Sequence, residues 1–236
     1  TGAARANQPM STAPDEKQVL VPAGLVSLQG VLAVPPNPLG MVVFSHGSGS
    51  GRLSPRNQFV AAQLRSLGLA TLLIDLLTET EARVADLRFD IDLLTQRLEY
   101  AVDFARSQPA TRSLPVGLFG ASTGAASALR VAAAMPREVA TVVSRGGRPD
   151  LAGTETLARV RAATLLIVGG LDFEVIRLNK LAVAELTHGA SQLVIVPGAT
   201  HLFEEPGTLE EVARLAGQWF TRHLTSSQLR IDTSRI

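Results

Sequence analysis

From residue 41 onward the chain alternates short, continuously apolar runs with longer segments of helical periodicity. The apolar runs lie at 41–45 (MVVFS), 69–74, 116–119, 139–144, 164–168 and 192–196. Each is too short for a helix and lacks the polar alternation of a half-exposed strand. That is the pattern of parallel strands buried on both faces. Between them the periodicity predicts helices over 55–67, 89–107, 122–134, 175–187 and 209–223, with a short one at 156–161. Thr208, with Glu211 three residues later, reads as a capping box for the last helix. Upstream, 18–21 and 25–34 read as two short strands around a Pro-Ala-Gly turn, an antiparallel edge stopped by Pro35, Pro36 and Pro38. Strands alternating with helices of this length predict an α/β protein: a mostly parallel central sheet with helices on both faces. No repeat or linker interrupts the pattern. The expected organisation is a flexible leader over 1–17, a single domain over 18–224 and a C-terminal tail over 225–236.

Composition narrows the function classes. The 236 residues suffice for one sizeable α/β domain. Lys and Arg total 22 against 21 Asp and Glu, a formal net charge of +1, so neither nucleic acid nor an anionic membrane is an expected partner. The chain has no cysteine, which excludes disulfides, thiolate metal sites and a cysteine nucleophile. No apolar run approaches the roughly 18–20 residues of a membrane span. The polar leader lacks the apolar middle of a secretory signal, and the expected location is cytoplasmic.

In a parallel sheet, ligands bind beyond the carboxyl ends of the strands. Gly120-Ala121-Ser122-Thr123-Gly124 stands at such an end, between the run at 116–119 and an alanine-rich helix. A serine on so tight a turn is lifted clear of the sheet, its small neighbours letting backbone pass close. Ser122 is therefore the candidate nucleophile; the alternative is an ordinary helix N-cap. A serine hydroxyl needs a neighbouring imidazole to take its proton. Of the four histidines, His188 and His223 sit at helix ends, and His46 opens a glycine-rich loop. His201 is left in the loop after the last strand as candidate base. Asp172, in Val168-Gly169-Gly170-Leu171-Asp172, is placed to orient that imidazole. Asp150, one strand earlier, is its rival.

His46-Gly47-Ser48-Gly49-Ser50-Gly51 follows the first parallel strand. Its glycines suggest backbone brought close to a ligand, with the N–H of Ser48 joining that of Thr123 as oxyanion donors. The loop lacks the Gly-Lys-Ser/Thr ending of a phosphate loop and the spacing of a dinucleotide fingerprint. Arg52, Arg56, Arg145 and Arg148 follow strand ends, where an arginine either clamps a substrate anion or ties loops together. Arg145 directly follows its strand and is the candidate substrate-binding residue.

The order Ser122, Asp172, His201 on alternating strands and helices, with an early HG-x-G, resembles the α/β-hydrolase superfamily. Within it the chain is most similar to small bacterial dienelactone-hydrolase-like proteins. Only 28 positions separate Ser144 from Asp172, leaving no room for the helical cap often inserted there. One departure is decisive: dienelactone hydrolases use a cysteine nucleophile, and this chain has Ser122. The resemblance thus implies a cofactor-free, metal-free serine hydrolase acting on small carboxylic esters or thioesters through an acyl-enzyme. A hydrolase-fold binding protein, and an acyltransferase or peptidase on the same frame, are the alternatives.

Overall fold

The computed structural model describes residues 15–233, with side chains described over 16–225. Eight strands form one sheet in the order β1-β2-β4-β3-β5-β6-β7-β8. The first two, β1 (Asp15–Ala23) and β2 (Val26–Val34), make a hairpin closed by a two-residue turn with Gly24 at φ 67°. Positive φ is nearly free of cost only for glycine. β2 then pairs antiparallel with β4 (Leu69–Ile74). β3 (Gly40–Ser45), β4, β5 (Val116–Ala121), β6 (Val139–Arg145), β7 (Ala163–Gly169) and β8 (Ser191–Val196) run parallel. All six residues of β3, β4 and β5 are buried, as their unbroken apolar sequences predict.

Two helical layers cover the sheet. On one face, α2 (Ile91–Ser107), α3 (Thr123–Ala134), the one-turn α4 (Thr154–Leu157) and α5 (Phe173–Glu185) enclose a core containing Leu98, Leu118, Leu129 and Leu166. On the other, α1 (Pro55–Ser66) and α6 (Thr208–Thr233) enclose Phe44, Phe119, Leu64 and Phe220. The chain leaves β3 for β4 on one side and returns past β3 to β5 on the other. The order therefore reverses at β3, and a crevice opens where the carboxyl ends of β3 and β5 lie side by side.

Several predicted boundaries shift. The first strand starts at Asp15, inside the expected leader, and residues 1–14 lie outside the described residues. The last helix continues to Thr233, so helix occupies most of the expected tail. The long helix starts at Ile91 because Asp90 caps it, its Oδ1 accepting from Leu93 N–H. The capping box does not form. Thr208 donates its hydroxyl to the Glu205 carbonyl, and the Glu211 carboxylate accepts from Arg214 instead. Between β6 and β7 stand only a 3-10 turn (Pro149–Ala152) and α4, so the expected absence of a helical cap there holds.

Candidate active site

Ser122 sits between β5 and α3 at φ 51°, ψ −121°, a conformation rare for a residue with a side chain. Its backbone is locked there: its N–H donates to the Arg145 carbonyl, and its own carbonyl accepts from Ala125 and Arg148 N–H. Close packing enforces the turn. A Cβ on Gly124 would collide with the Ser45 carbonyl oxygen and lie 2.5 Å from that of His46, so only glycine lets α3 start against the end of β3. The Ser122 side chain caps nothing. The N-cap alternative therefore fails, and the hydroxyl is held out of the backbone network.

The hydroxyl instead meets His201. Ser122 Oγ lies 3.4 Å from His201 Nε2, and His201 Nδ1 lies 2.6 Å from Asp172 Oδ2. With a proton on Nδ1 donated to the carboxylate, Nε2 is free to accept from the serine. The longer contact suits a site without substrate, where such bonds are commonly loose. Asp172 follows β7 at the start of α5 and makes no capping bond. The backbone of the histidine loop packs so closely on Gly169 that a Cβ there would meet the Ala199 and Thr200 carbonyls at 2.5 Å, so a glycine at the end of β7 lets the acid and histidine loops lie together. Asp150 is elsewhere engaged, its two oxygens accepting from Arg148 Nε at 2.9 Å and Nη2 at 2.7 Å.

The glycine-rich loop closes the other side of Ser122. A Cβ on Gly47 would sit 3.2 Å from the Ser122 Cβ. Among the described residues, neither the Ser48 N–H nor the Thr123 N–H has an acceptor. His46, passed over by the sequence reading, is buried beneath this loop and shapes it. Its Nδ1 donates to the Gly47 carbonyl at 2.9 Å, and its Nε2 accepts from Leu76 N–H at 2.9 Å. Burial pushes its pKa down, which keeps the ring neutral and the Nε2 acceptor available. Asp75 holds the far end of the loop, accepting from the Arg52 backbone N–H at 2.6 Å and from its guanidinium.

Of the four arginines, three are ion-paired: Arg52 to Asp75 and Arg56 to Glu204 across segments, and Arg148 to Asp150 within its own turn. Arg145 is only 8% exposed. Its Nη2 reaches Asn57 Oδ1 at 3.5 Å, while Nε and Nη1 are buried without partners. Burial, with Arg56 nearby, lowers its pKa to about 10. The guanidinium therefore stays charged at neutral pH but is turned into the α1 side of the sheet. Leu171, Leu202 and the 74%-exposed Phe173, chain neighbours of Asp172 and His201, are exposed apolar residues, as is Leu53 after the glycine-rich loop. Among the described residues no group of three or more His, Cys, Asp or Glu is placed to hold a metal, and no helix is long and apolar enough to cross a membrane.

Residues 28–224 match the dienelactone hydrolase family. The chain belongs to that family. A solved dienelactone hydrolase from Anabaena variabilis is 52% identical, with a TM-score of 0.87 over 90% of this chain and 99% of that one. The esterase Est1E from Butyrivibrio proteoclasticus shares the fold at 15% identity, with a TM-score of 0.74 over 87% of this chain and 98% of its own. A Mycobacterium tuberculosis protein provisionally named a phosphoribosyl transferase is 58% identical over 210 residues, 89% of this chain. The chain spans 47% of that relative, about half its length. The dienelactone hydrolase family is one of hydrolases acting on ester bonds.

Proposed function

We propose that the protein is a serine hydrolase that cleaves carboxylic esters or thioesters of small substrates through an acyl-enzyme. The observation that carries this reading is the relay from Ser122 Oγ through His201 to Asp172, set beside two backbone N–H groups without acceptors. In the first step His201 Nε2 takes the Ser122 proton as Oγ attacks the ester carbonyl. The developing oxyanion lies between the N–H groups of Ser48 and Thr123, and the N-terminus of α3 adds its positive dipole end. Removing one such donor costs on the order of a hundred- to a thousandfold in turnover in a related chemistry. Asp172 steadies the imidazolium, which then protonates the departing alcohol or thiol. Water, deprotonated by the same histidine, releases the acid and restores Ser122.

Phosphoribosyl transfer, the name given to the longer relatives, finds no support in this portion. Its glycine-rich loop ends in Gly-Arg and is held by Asp75, and the arginines that follow its strand ends are paired (Arg52, Arg56, Arg148) or buried (Arg145). The deciding experiment is labelling by a fluorophosphonate, which reacts only with an activated serine. Labelling of the parent and its loss in Ser122→Ala, in parallel with hydrolysis of a short activated ester, is the expected result. An unlabelled parent that turns over no ester would leave the fold as a binding scaffold.

A further inference from the structure

Gly47 touches Ser122 on one side and on another lines a cavity of about 370 Å³. That volume lies at the small end of ligand pockets, about 300–1,000 Å³. Its apolar lining includes the buried Leu77 and Leu94. Its polar wall is unusual in composition. Gln29, Ser48, Ser50 and Thr78 present neutral donors and acceptors, while the half-buried Arg88 and the exposed Glu79 at its edge add one charge of each sign. Among the described residues neither Arg88 nor Glu79 has a side-chain hydrogen bond or ion pair, and the Arg88 Nε is buried without a partner. The other carboxylate of the wall, Asp75, is already neutralised by Arg52.

An unpaired cation and an unpaired anion in one small cavity select against ligands of either net charge. An anion would gain Arg88 and face Glu79; a cation would do the reverse. A hydroxyl group answers both, accepting from the guanidinium and donating to the carboxylate. Several hydroxyls on a compact carbon frame would also engage the neutral side chains and lay C–H groups on the leucines. We infer that this cavity receives the alcohol portion of the ester, and that this alcohol is an uncharged polyol of monosaccharide size. The inference rests on the ester-hydrolase reading: the carbonyl carbon sits at Ser122, and the leaving alcohol passes Gly47 into the cavity.

The test holds the acyl group constant so that the acyl-enzyme is the same throughout. With the full chain, kcat/KM is compared for a monoacetylated methyl glucoside, n-hexyl acetate and the acetyl ester of an anionic hydroxy acid. The sugar ester is expected to lead by at least about tenfold, the ratio one net hydrogen bond supports. Arg88→Met, which keeps the stem and removes the charged donor, should bring that ratio close to one, with thermal unfolding as the folding control. Ala82→Phe, at the cavity wall, should cut turnover of the sugar ester more than that of the hexyl ester. Equal rates for all three esters, or a lead for the anionic one that Arg88→Met abolishes, would overturn the inference. Calorimetric binding of methyl glucoside to Ser122→Ala reads the cavity without chemistry. Binding there that Arg88→Met removes, with no ester turned over by the parent, would keep the polyol site and sink the nucleophile; no binding and no ester preference would sink the polyol site.

Discussion

Replacing Asp172 by Asn keeps the shape of the side chain and reverses one hydrogen-bonding role. Oδ2 lies 2.6 Å from His201 Nδ1 and accepts its proton. An amide nitrogen at that place would need an unprotonated Nδ1, moving the ring proton to Nε2, where it faces Ser122 and can no longer accept. If the amide oxygen takes the place instead, the negative charge that steadies the imidazolium is gone. The matching change in a serine protease costs about ten-thousandfold in turnover, or about 5.4 kcal/mol of barrier. The Asp172 side chain is only 16% exposed, so water does little to replace it and most of that loss is expected here. Asp150→Asn is the matched control. It gives up an ion pair with Arg148 at the surface, worth about 0–1 kcal/mol of stability, and should leave kcat/KM within about threefold. The assay is steady-state hydrolysis of a short activated ester, with thermal unfolding recorded for each variant. A folded Asp172→Asn enzyme within about tenfold of the parent would refute the reasoning, as would an Asp150→Asn enzyme that is the crippled one.

Three further outcomes follow from the same structure. Ser122 holds φ 51° at a cost of about 1–3 kcal/mol. Ser122→Gly should thus unfold at a higher temperature than Ser122→Ala, both being inactive, and equal melting points would show an unstrained turn. The lowering of the Arg145 pKa from 12.5 to about 10 corresponds to about 3 kcal/mol spent on a buried cation below that pH. Arg145→Met should therefore be neutral or stabilising by up to about 2 kcal/mol, a rise of several degrees in Tm, after the weak Asn57 contact and some packing are lost; a loss above about 1 kcal/mol would show that the guanidinium supports its surroundings. The folded-state pKa of His46 is depressed, so its contribution to stability is present above the unfolded value of about 6.5 and lost as pH falls below it toward the folded value. His46→Asn should flatten that part of the stability profile measured by urea unfolding, since His223, shifted the same way by burial, is common to both proteins. An unchanged profile would remove His46 from the acid response.

What the sequence alone decided was local. Unbroken apolar runs such as MVVFS force strands buried on both faces, whatever their neighbours, and helices between them force a parallel sheet. Ser122 on a Gly-Ala-Ser-Thr-Gly turn was legible because the glycines that permit the turn are adjacent in the chain. The order of the strands was not, since β4 lies outside β3 through contacts between segments far apart in sequence. The candidate acid was legible in part: Asp172 stands nearer its strand end than Asp150, while only the folded chain brings the His201 loop against Asp172 and leaves Asp150 held by Arg148. Arg145 read as a substrate clamp because it follows its strand. One residue's alternation along β6, with Ser144 on the α3 side and Arg145 on the α1 side, decided that it is buried toward Asn57 instead. The predicted capping box failed for a related reason, because Arg214, one turn along the helix, competes for Glu211 with a charge the backbone N–H lacks. The cavity beside Gly47 could not be read at all: Gln29, Ser48, Thr78 and Arg88 come from four separate segments, and only the pairing of β2 with β4 brings them to one place.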